Sequence, residues 1–405
     1  MKYRIVRVGN LYKEQVNSYY INYGEFLQTM SYDEQYQHLM SYSCELFSFF
    51  SYNFKKLDVE STDIITNAFL LQLTWKKENN CNDNGKELVL AQIKKIKPNI
   101  VWIDDTAFLA DSKWINALRN SVPSIKIVTG HICAPYNAEL LKGFQTLDFI
   151  FTCTPCFKKE LELQGIKTYL NYHSFEKKII DRLAININSN KNKLVFTGSF
   201  ITGGGFHKTR IEFIEEILKS GIDIEILGNI EKKSKIKQKQ ALYLFLNALK
   251  KMRLSKLIDN IPILSKYENY ADTPVKQYSS KLRNSIKNAV FGIEMFNLLF
   301  NSQICLNLHG EVAKKCAGNI RLFEATGVGT CLVTDWKENL HELFEPEKEI
   351  VTYKTKEECI EKLKWLIQNP NESDKIAKAG QNRTLTDHSF EKRIEVINEI
   401  FLKNL

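Results

Sequence analysis

The sequence predicts an α/β protein of two domains, and three observations carry that prediction. Strand-like apolar runs alternate with helical stretches along most of the chain, the pattern of mainly parallel sheets covered by helices. A length of 405 residues with 44% hydrophobic content exceeds what one core usually holds and is ample for two. The run Ala184-Ile-Asn-Ile-Asn-Ser-Asn-Lys-Asn192 is rich in Asn and has no helical face, so it reads as a linker. The domains are expected at 1–190 and 191–387, with 388–405 as a terminal helix packing back on the first.

In the first domain, Tyr3 to Val8 reads as a strand, Ile64 to Phe69 as an ambiguous apolar run, and Asn79 to Gly85 as a polar break. A helix follows over Glu87 to Lys95, then the strand Asn99-Ile-Val-Trp-Ile103, which ends in Asp104-Asp105-Thr106. Further units are a helix at Lys113 to Asn120, a strand at Lys126 to Thr129 running into Gly130-His131, and a strand at Phe149 to Cys153. The helix Phe157 to Gln164 and the extended segment Lys167 to Tyr172 close the domain. Ligands of open α/β sheets sit beyond the carboxyl ends of the strands, which makes Asp104, Asp105 and His131 candidate catalytic groups. The bland alternatives are a helix N-cap for the Asp pair and a packed imidazole for His131.

The second domain opens at Lys193-Leu-Val-Phe-Thr-Gly198, a strand leading into Gly203, Gly204 and Gly205 and then Lys208, Arg210 and a helix through Ser220. Free N–H groups at a helix start suit a phosphate, and Lys208 or Arg210 would add charge-assisted contacts. The spacing matches neither the Walker loop nor the dinucleotide fingerprint, and a plain surface loop is the competing reading. Ile222 to Gly228 supplies the next strand, and an insertion runs over 231–288. Within it, Lys232 to Ile258 carries nine Lys or Arg and no Asp or Glu, equal to the whole formal charge of +9. Helical periodicity over Ala241 to Ile258 predicts a basic amphipathic helix suited to an anionic membrane surface, or else a core-facing helix with a solvated lysine face. Nucleic acid is not expected as a partner, because these cations are not interleaved with stacking aromatics.

The most informative stretch is Asn319-Ile-Arg321-Leu-Phe-Glu324-Ala-Thr-Gly327-Val-Gly329. It lies between the strand Gln303 to Leu308, followed by His309, and the strand Cys331 to Thr334, and it puts a guanidinium and a carboxylate on a short helix ahead of a glycine turn. A ligand-binding element is one reading, and a satisfied Arg321–Glu324 pair inside a buried helix is the other.

Nine cysteines, often inside apolar runs, suit buried thiols in a reducing compartment. Cys153-Thr-Pro-Cys156 is weighed as a redox pair, against an ordinary strand-to-helix junction; as a zinc site it lacks further ligands in sequence. No apolar stretch approaches 18 residues and the N-terminus does not read as a signal peptide, so a cytoplasmic protein is expected, peripheral on the inner face of the membrane if the basic helix binds there.

Gly292-Ile-Glu-Met295, Ser302 to Asn307, Asn319 to Gly329, Leu343-Phe344 with Glu349-Ile350, and Ile376 to Gly380 running to His388-Ser-Phe-Glu-Lys-Arg393 together resemble the spore-protein CgeB-like group of glycosyltransferases. That group belongs to the wider set sharing the GT-B architecture, two Rossmann-like domains facing a central cleft. The resemblance implies a nucleotide-diphosphate sugar bound mainly by the second domain, where the candidate contacts read from the sequence are Gly198, Gly203, Gly204, Gly205, Lys208, Arg210, Asn307, His309, Asn319, Arg321 and Glu324. Glu324 occupies the place of a glutamate that bonds the ribose hydroxyls. A carboxylate found seven residues earlier in many relatives falls on Ala317 here, a departure that bears on the sugar hydroxyls and on stereochemistry, with retention slightly favoured. The resemblance further implies a hexosyltransferase-like enzyme of cell-surface glycan biosynthesis, with no tightly bound cofactor and no metal held by an Asp-x-Asp pair. The acceptor is a hydroxyl of a glycan, a lipid-linked glycan or a protein, held by the first domain. A sugar-nucleotide-binding protein without turnover and a sugar-nucleotide epimerase are the alternatives.

Overall fold

The computed structural model describes residues 3–43, 46–183, 194–202, 208–254, 270 and 274–405. The linker expected at 184–192 and the glycines 203–205 lie outside the described residues.

Two six-stranded parallel sheets organise the chain. The first comprises β1 (Arg4–Gly9), β2 (Glu60–Ile65), β3 (Ile100–Ile103), β4 (Ile127–Ile132), β5 (Phe149–Thr152) and β6 (Thr168–Leu170), in the order β2-β1-β3-β4-β5-β6. The second comprises β7 (Leu194–Thr197), β8 (Ile224–Leu227), β9 (Ile286–Lys287), β10 (Ile304–Asn307), β11 (Cys331–Asp335) and β12 (Val351–Tyr353), in the order β12-β11-β10-β7-β8-β9. Strands such as Ile100-Val-Trp-Ile103 and Ile304-Cys-Leu-Asn307 are buried at every position, as a parallel sheet covered on both faces requires. This is the α/β arrangement of two Rossmann-like domains that the alternating pattern predicts.

The order of each sheet reverses direction once, between β1 and β3 in the first and between β7 and β10 in the second. At such a reversal the connecting helices leave toward opposite faces and a crevice opens beyond the strand ends. The first crevice is bordered by the segment after Gly9 and by Asp104, the second by Gly198 and by Leu308-His309.

The apolar run at 64–69 is divided by the structure: β2 starts earlier, at Glu60, and Phe69 already opens the helix Phe69–Glu78. Three helices at Lys13–Leu27, Tyr32–Ser43 and Leu46–Lys56 lie between β1 and β2. The first two are rich in tyrosines, which bury a ring while keeping a polar tip and so blur the apolar stripe that a sequence reading looks for.

The terminal helix Phe390–Asn404 covers one face of the first sheet. Phe390, Ile394, Ile397 and Phe401 fall on one side of it and share a core with Tyr3, Ile5, Phe54, Trp102, Phe149 and Phe151. Tyr3 adds a buried hydrogen bond from its hydroxyl to Asn398 Oδ1 at 2.9 Å. Just before it the chain pairs with an earlier segment in a parallel bridge at Phe175 and Ser389, where Phe175 N donates to His388 O and Phe390 N donates to Phe175 O, at 2.9 and 3.0 Å.

The basic helix runs over Lys233–Lys251, beginning earlier than its periodicity predicts. Ile236 and Leu246 are buried, whereas Leu244, Phe245 and Met252 are exposed. Among the described residues no helix is long and apolar enough to cross a membrane.

The cysteines differ from the expectation of free thiols. Cys133 is bonded to Cys153, and Cys156 to Cys316, so that the second bond ties the first domain to the loop before the Arg321 helix. Cys153 and Cys156 therefore do not pair with each other. Cys81, Cys305, Cys331 and Cys359 are free.

Candidate functional site

The two crevices face one another and merge into a cleft. A cavity of ≈ 410 Å³ on the second-domain side is lined by Gly198, Arg210, Asn307, Asn319, Arg321 and Glu324, six of the residues that the sequence nominates. Opposite it a cavity of ≈ 370 Å³ is lined by Asp104 and His131. Tyr12, Ser174 and Phe390 border both. A third cavity, of ≈ 460 Å³, holds His309 together with Arg210 and Asn319 and joins the other two.

Helix Arg321–Gly327 positions the central pair. Gly327 is needed because a Cβ there would come within 2.3 Å of the Phe175 ring, and Gly329 turns the chain at φ +80°. Arg321 Nη1 lies 2.9 Å from Glu324 Oε2, one helical step away. The alignment is that of an ion pair and not of a hydrogen bond, for Oε2 is buried without a hydrogen-bond partner. Burial raises the Glu324 pKa above its ordinary value, against the pull of Arg321. A buried carboxylate oxygen that is ion-paired but accepts no aligned hydrogen bond keeps lone pairs for ligand hydroxyls.

Arg210 joins the two strands at the reversal: Nη1 donates to Ser199 O at 3.0 Å, beyond β7, and Nη2 to Leu308 O at 3.1 Å, beyond β10. Burial lowers its pKa, while Glu311 and Asp335 pull the other way. Lys208 opens the helix Lys208–Lys219, though its side chain lies outside the described part. The N–H of Thr209 in that first turn donates to Glu311 Oε1 at 2.7 Å, which shows the turn already holding one anionic group.

Asn319 Nδ2 donates to Asn307 Oδ1 at 2.7 Å, and Asn307 Nδ2 to Thr334 Oγ1 at 2.9 Å, a ladder spanning the ends of β10 and β11. His309 Nδ1 is 2.7 Å from Asp335 Oδ1, leaving Nε2 buried without a hydrogen-bond partner. Burial works to raise the Asp335 pKa, but His309 and Lys337 outweigh it and hold the group down at about 2. Ala317, where many relatives of the resembled group carry a carboxylate, is fully buried; its N–H donates to Asn339 Oδ1 at 2.6 Å and its carbonyl accepts from Asn339 Nδ2 at 3.1 Å. Beside it Gly318 lies so near the first domain that a Cβ would meet Cys153 O at 2.3 Å.

On the opposite wall the Asp pair divides. Asp105 accepts from Ala107 N at 2.9 Å as the N-cap of Thr106–Leu109 and from Thr66 Oγ1 at 2.9 Å, so both oxygens are engaged and it does not line the cleft. Asp104 does line it, bound by Arg7 and by Trp102 Nε1 at 2.6 Å. Arg7, almost fully buried, lies 3.9 Å from the Phe50 ring centre. Burial lowers the His131 pKa against the raising effect of Asp104, and its ring meets that of His173 edge-on at 5.9 Å. Sequence reasoning did not nominate His173, Arg7 or Arg393, which line the same wall. The strand-end rule that marks His131 would have marked His173, three residues past β6; nothing local marks the other two.

Residues 210–399 match the model of a family described as glycosyl transferase-like. In fold, the chain is similar to the Anabaena protein Alr3699/HepE in complex with UDP-glucose, with a TM-score of 0.57 and 11% identity over 99% of this chain and 100% of that one. It is also similar to sucrose-phosphate synthase from Thermosynechococcus elongatus (TM-score 0.51, 10% identity, 84% of this chain and 82% of that one). A glycosyltransferase from Rickettsia africae gives a TM-score of 0.50 at 14% identity, over 100% and 98%. No curated protein matches the sequence. The fold is thus that of the GT-B class. Together with the family match it supports a GT-B glycosyltransferase.

Proposed function

We propose that the protein transfers a sugar from a nucleotide-diphosphate sugar to a hydroxyl acceptor, as a member of the spore-protein CgeB-like group. One observation carries the reading: the cleft at the two sheet reversals gathers Arg210, Arg321 and Glu324 in a single cavity facing the Asp104 and His131 wall. The family match over 210–399 covers the donor half of that cleft.

Transfer from such a donor builds negative charge on the departing phosphate oxygen, so preorganised cations and N–H groups matter more than a strong nucleophile. Arg210 and Arg321 meet that charge, with Lys208, which opens its helix, and the glycines 203–205 that precede it in the sequence as further contacts. Glu324 accepts from the ribose hydroxyls, and Asn307, His309, Asn319 and Gly198 shape the floor. Retention is favoured, with the leaving phosphate taking the acceptor proton while Asp104 and His131 orient the acceptor hydroxyl. Asp105 serves as a cap. The acceptor is a glycan, lipid-linked glycan or protein hydroxyl, and the basic helix from Lys233 holds the enzyme at an anionic membrane surface on the cytoplasmic side.

The test is calorimetric titration with UDP, GDP, ADP and CDP, followed by release of nucleotide from the matching sugar donors. UDP is the first choice because the Anabaena protein is complexed with UDP-glucose. One nucleoside diphosphate should bind in preference to the rest and its sugar should turn over. Binding without any turnover would instead favour a sugar-nucleotide-binding protein.

A further inference from the structure

We infer that Cys133, Cys153 and His173, in the reduced protein, form a site for a zinc-class cation on the acceptor-side wall of the cleft. One ligand atom from each of the three lies within 4.8 Å of the others, the one such cluster found among the described residues. Bonds of about 2.3 Å to sulfur and about 2.0–2.1 Å to nitrogen place tetrahedral ligand atoms roughly 3.5–3.8 Å apart, within the 4.8 Å limit, so the two sulfurs have only to part once their bond is reduced.

The scaffold is rigid where it needs to be. The three residues follow β4, β5 and β6, neighbouring strands in register through the pairs Ile132–Thr152 and Thr152–Leu170. Asn171 N donates to Thr152 O at 2.7 Å, and Thr152 Oγ1 to Ile132 O at 2.8 Å, extending the ladder to the level of the site. The sulfur of Cys133 is also served from outside: Cys153 N donates to it at 3.0 Å, and His131 Nε2 lies 3.3 Å away. Such outer contacts hold a thiolate ligand in place and tune it.

Two thiolates and an imidazole favour zinc and other borderline or soft cations over calcium or magnesium. Three protein ligands leave a fourth position, the arrangement of sites that exchange a water or a substrate atom. That position faces the cleft, since Cys133 and His173 border both the ≈ 370 Å³ and the ≈ 460 Å³ cavities. In the structure the two sulfurs are bonded to each other. The cation-binding form is the dithiol, whose two protons are released as the cation enters.

The experiment uses the full chain, reduced and freed of metal, titrated anaerobically with cobalt(II) and then with zinc(II) against a chromogenic chelator. A single equivalent of cobalt should bind with a thiolate charge-transfer band and the visible bands of a four-coordinate ion, and zinc should displace it. Cys153→Ser should diminish the charge-transfer band and weaken zinc binding at least about tenfold, while His173→Gln should weaken binding and keep the band. Zinc should also shield Cys133 and Cys153 from alkylation, read by mass spectrometry of the parent chain. The inference is overturned if the reduced parent, folded by thermal melting, binds no cobalt. It is equally overturned if the band survives unchanged in Cys153→Ser, or if the oxidised protein binds as the reduced one does.

Discussion

Replacing Glu324 with Gln removes a carboxylate whose Oε2 is buried without a hydrogen-bond partner, while keeping the shape of the side chain. In the proposed donor complex, hydrogen bonds from ribose hydroxyls to this charged acceptor would contribute roughly 1.5–3 kcal/mol. Their loss should weaken nucleotide affinity or transfer by about one to two powers of ten. Without a ligand the effect on folding is small, because the amide avoids the burial cost that raises the Glu324 pKa, although Arg321 loses its partner at 2.9 Å. A change near 1 kcal/mol corresponds to roughly 2–4 °C in a large domain, so the variant should melt close to the parent. The pH dependence adds a sign. A raised folded pKa means that this group's contribution to stability is complete below its unfolded value and is lost as pH rises through the folded value. Hydroxyl donors favour the charged form, so nucleotide affinity in the parent should climb over that interval and in the variant should not. Calorimetry with the preferred nucleoside diphosphate, a transfer assay and thermal melting across pH measure all three. A folded E324Q protein that binds and transfers like the parent would refute the assignment of Glu324 to the donor.

Arg321→Lys should also reduce transfer, since an ammonium does not reproduce the flat guanidinium fork, and comparing KM with kcat shows whether the loss falls in binding or in the chemical step. Asp335, held at about 2 against an ordinary 3.8, contributes stability above the unfolded value that is lost as pH falls toward 2, on the order of 2 kcal/mol. Asp335→Asn should flatten that acid-side slope in denaturant titrations, and an unchanged slope would count against the His309 pairing. Flotation with anionic vesicles should recover the protein at low salt and lose it at high salt; equal recovery with neutral vesicles, or none with either, removes the electrostatic membrane role.

The parallel α/β architecture was legible because strand and helix periods are local properties, carried by runs such as Ile100-Val-Trp-Ile103 and Ile304-Cys-Leu-Asn307. The Arg321–Glu324 pair was legible for the same reason: three residues along a helix are neighbours whatever the rest of the chain does. Other assignments depended on partners far away in sequence. Asp104 and Asp105 are adjacent and chemically identical. Only folding separates them, by bringing Arg7 to the first and by spending the second on Ala107 N and Thr66. The tyrosine-rich helices between β1 and β2 stayed obscure because a tyrosine is apolar along its ring and polar at its tip. Cys153-Thr-Pro-Cys156 looked like a pair of its own or like nothing, since two thiols three residues apart lack other ligands in sequence. Their neighbours come from elsewhere in the chain: folding sets Cys133 and His173 beside Cys153, and Cys316 beside Cys156. Side-chain chemistry and local period belong to the sequence. Which distant groups share a wall of the cleft is decided by strand order, because parallel strands adjacent in space are joined by long crossovers that leave their ends far apart in the chain.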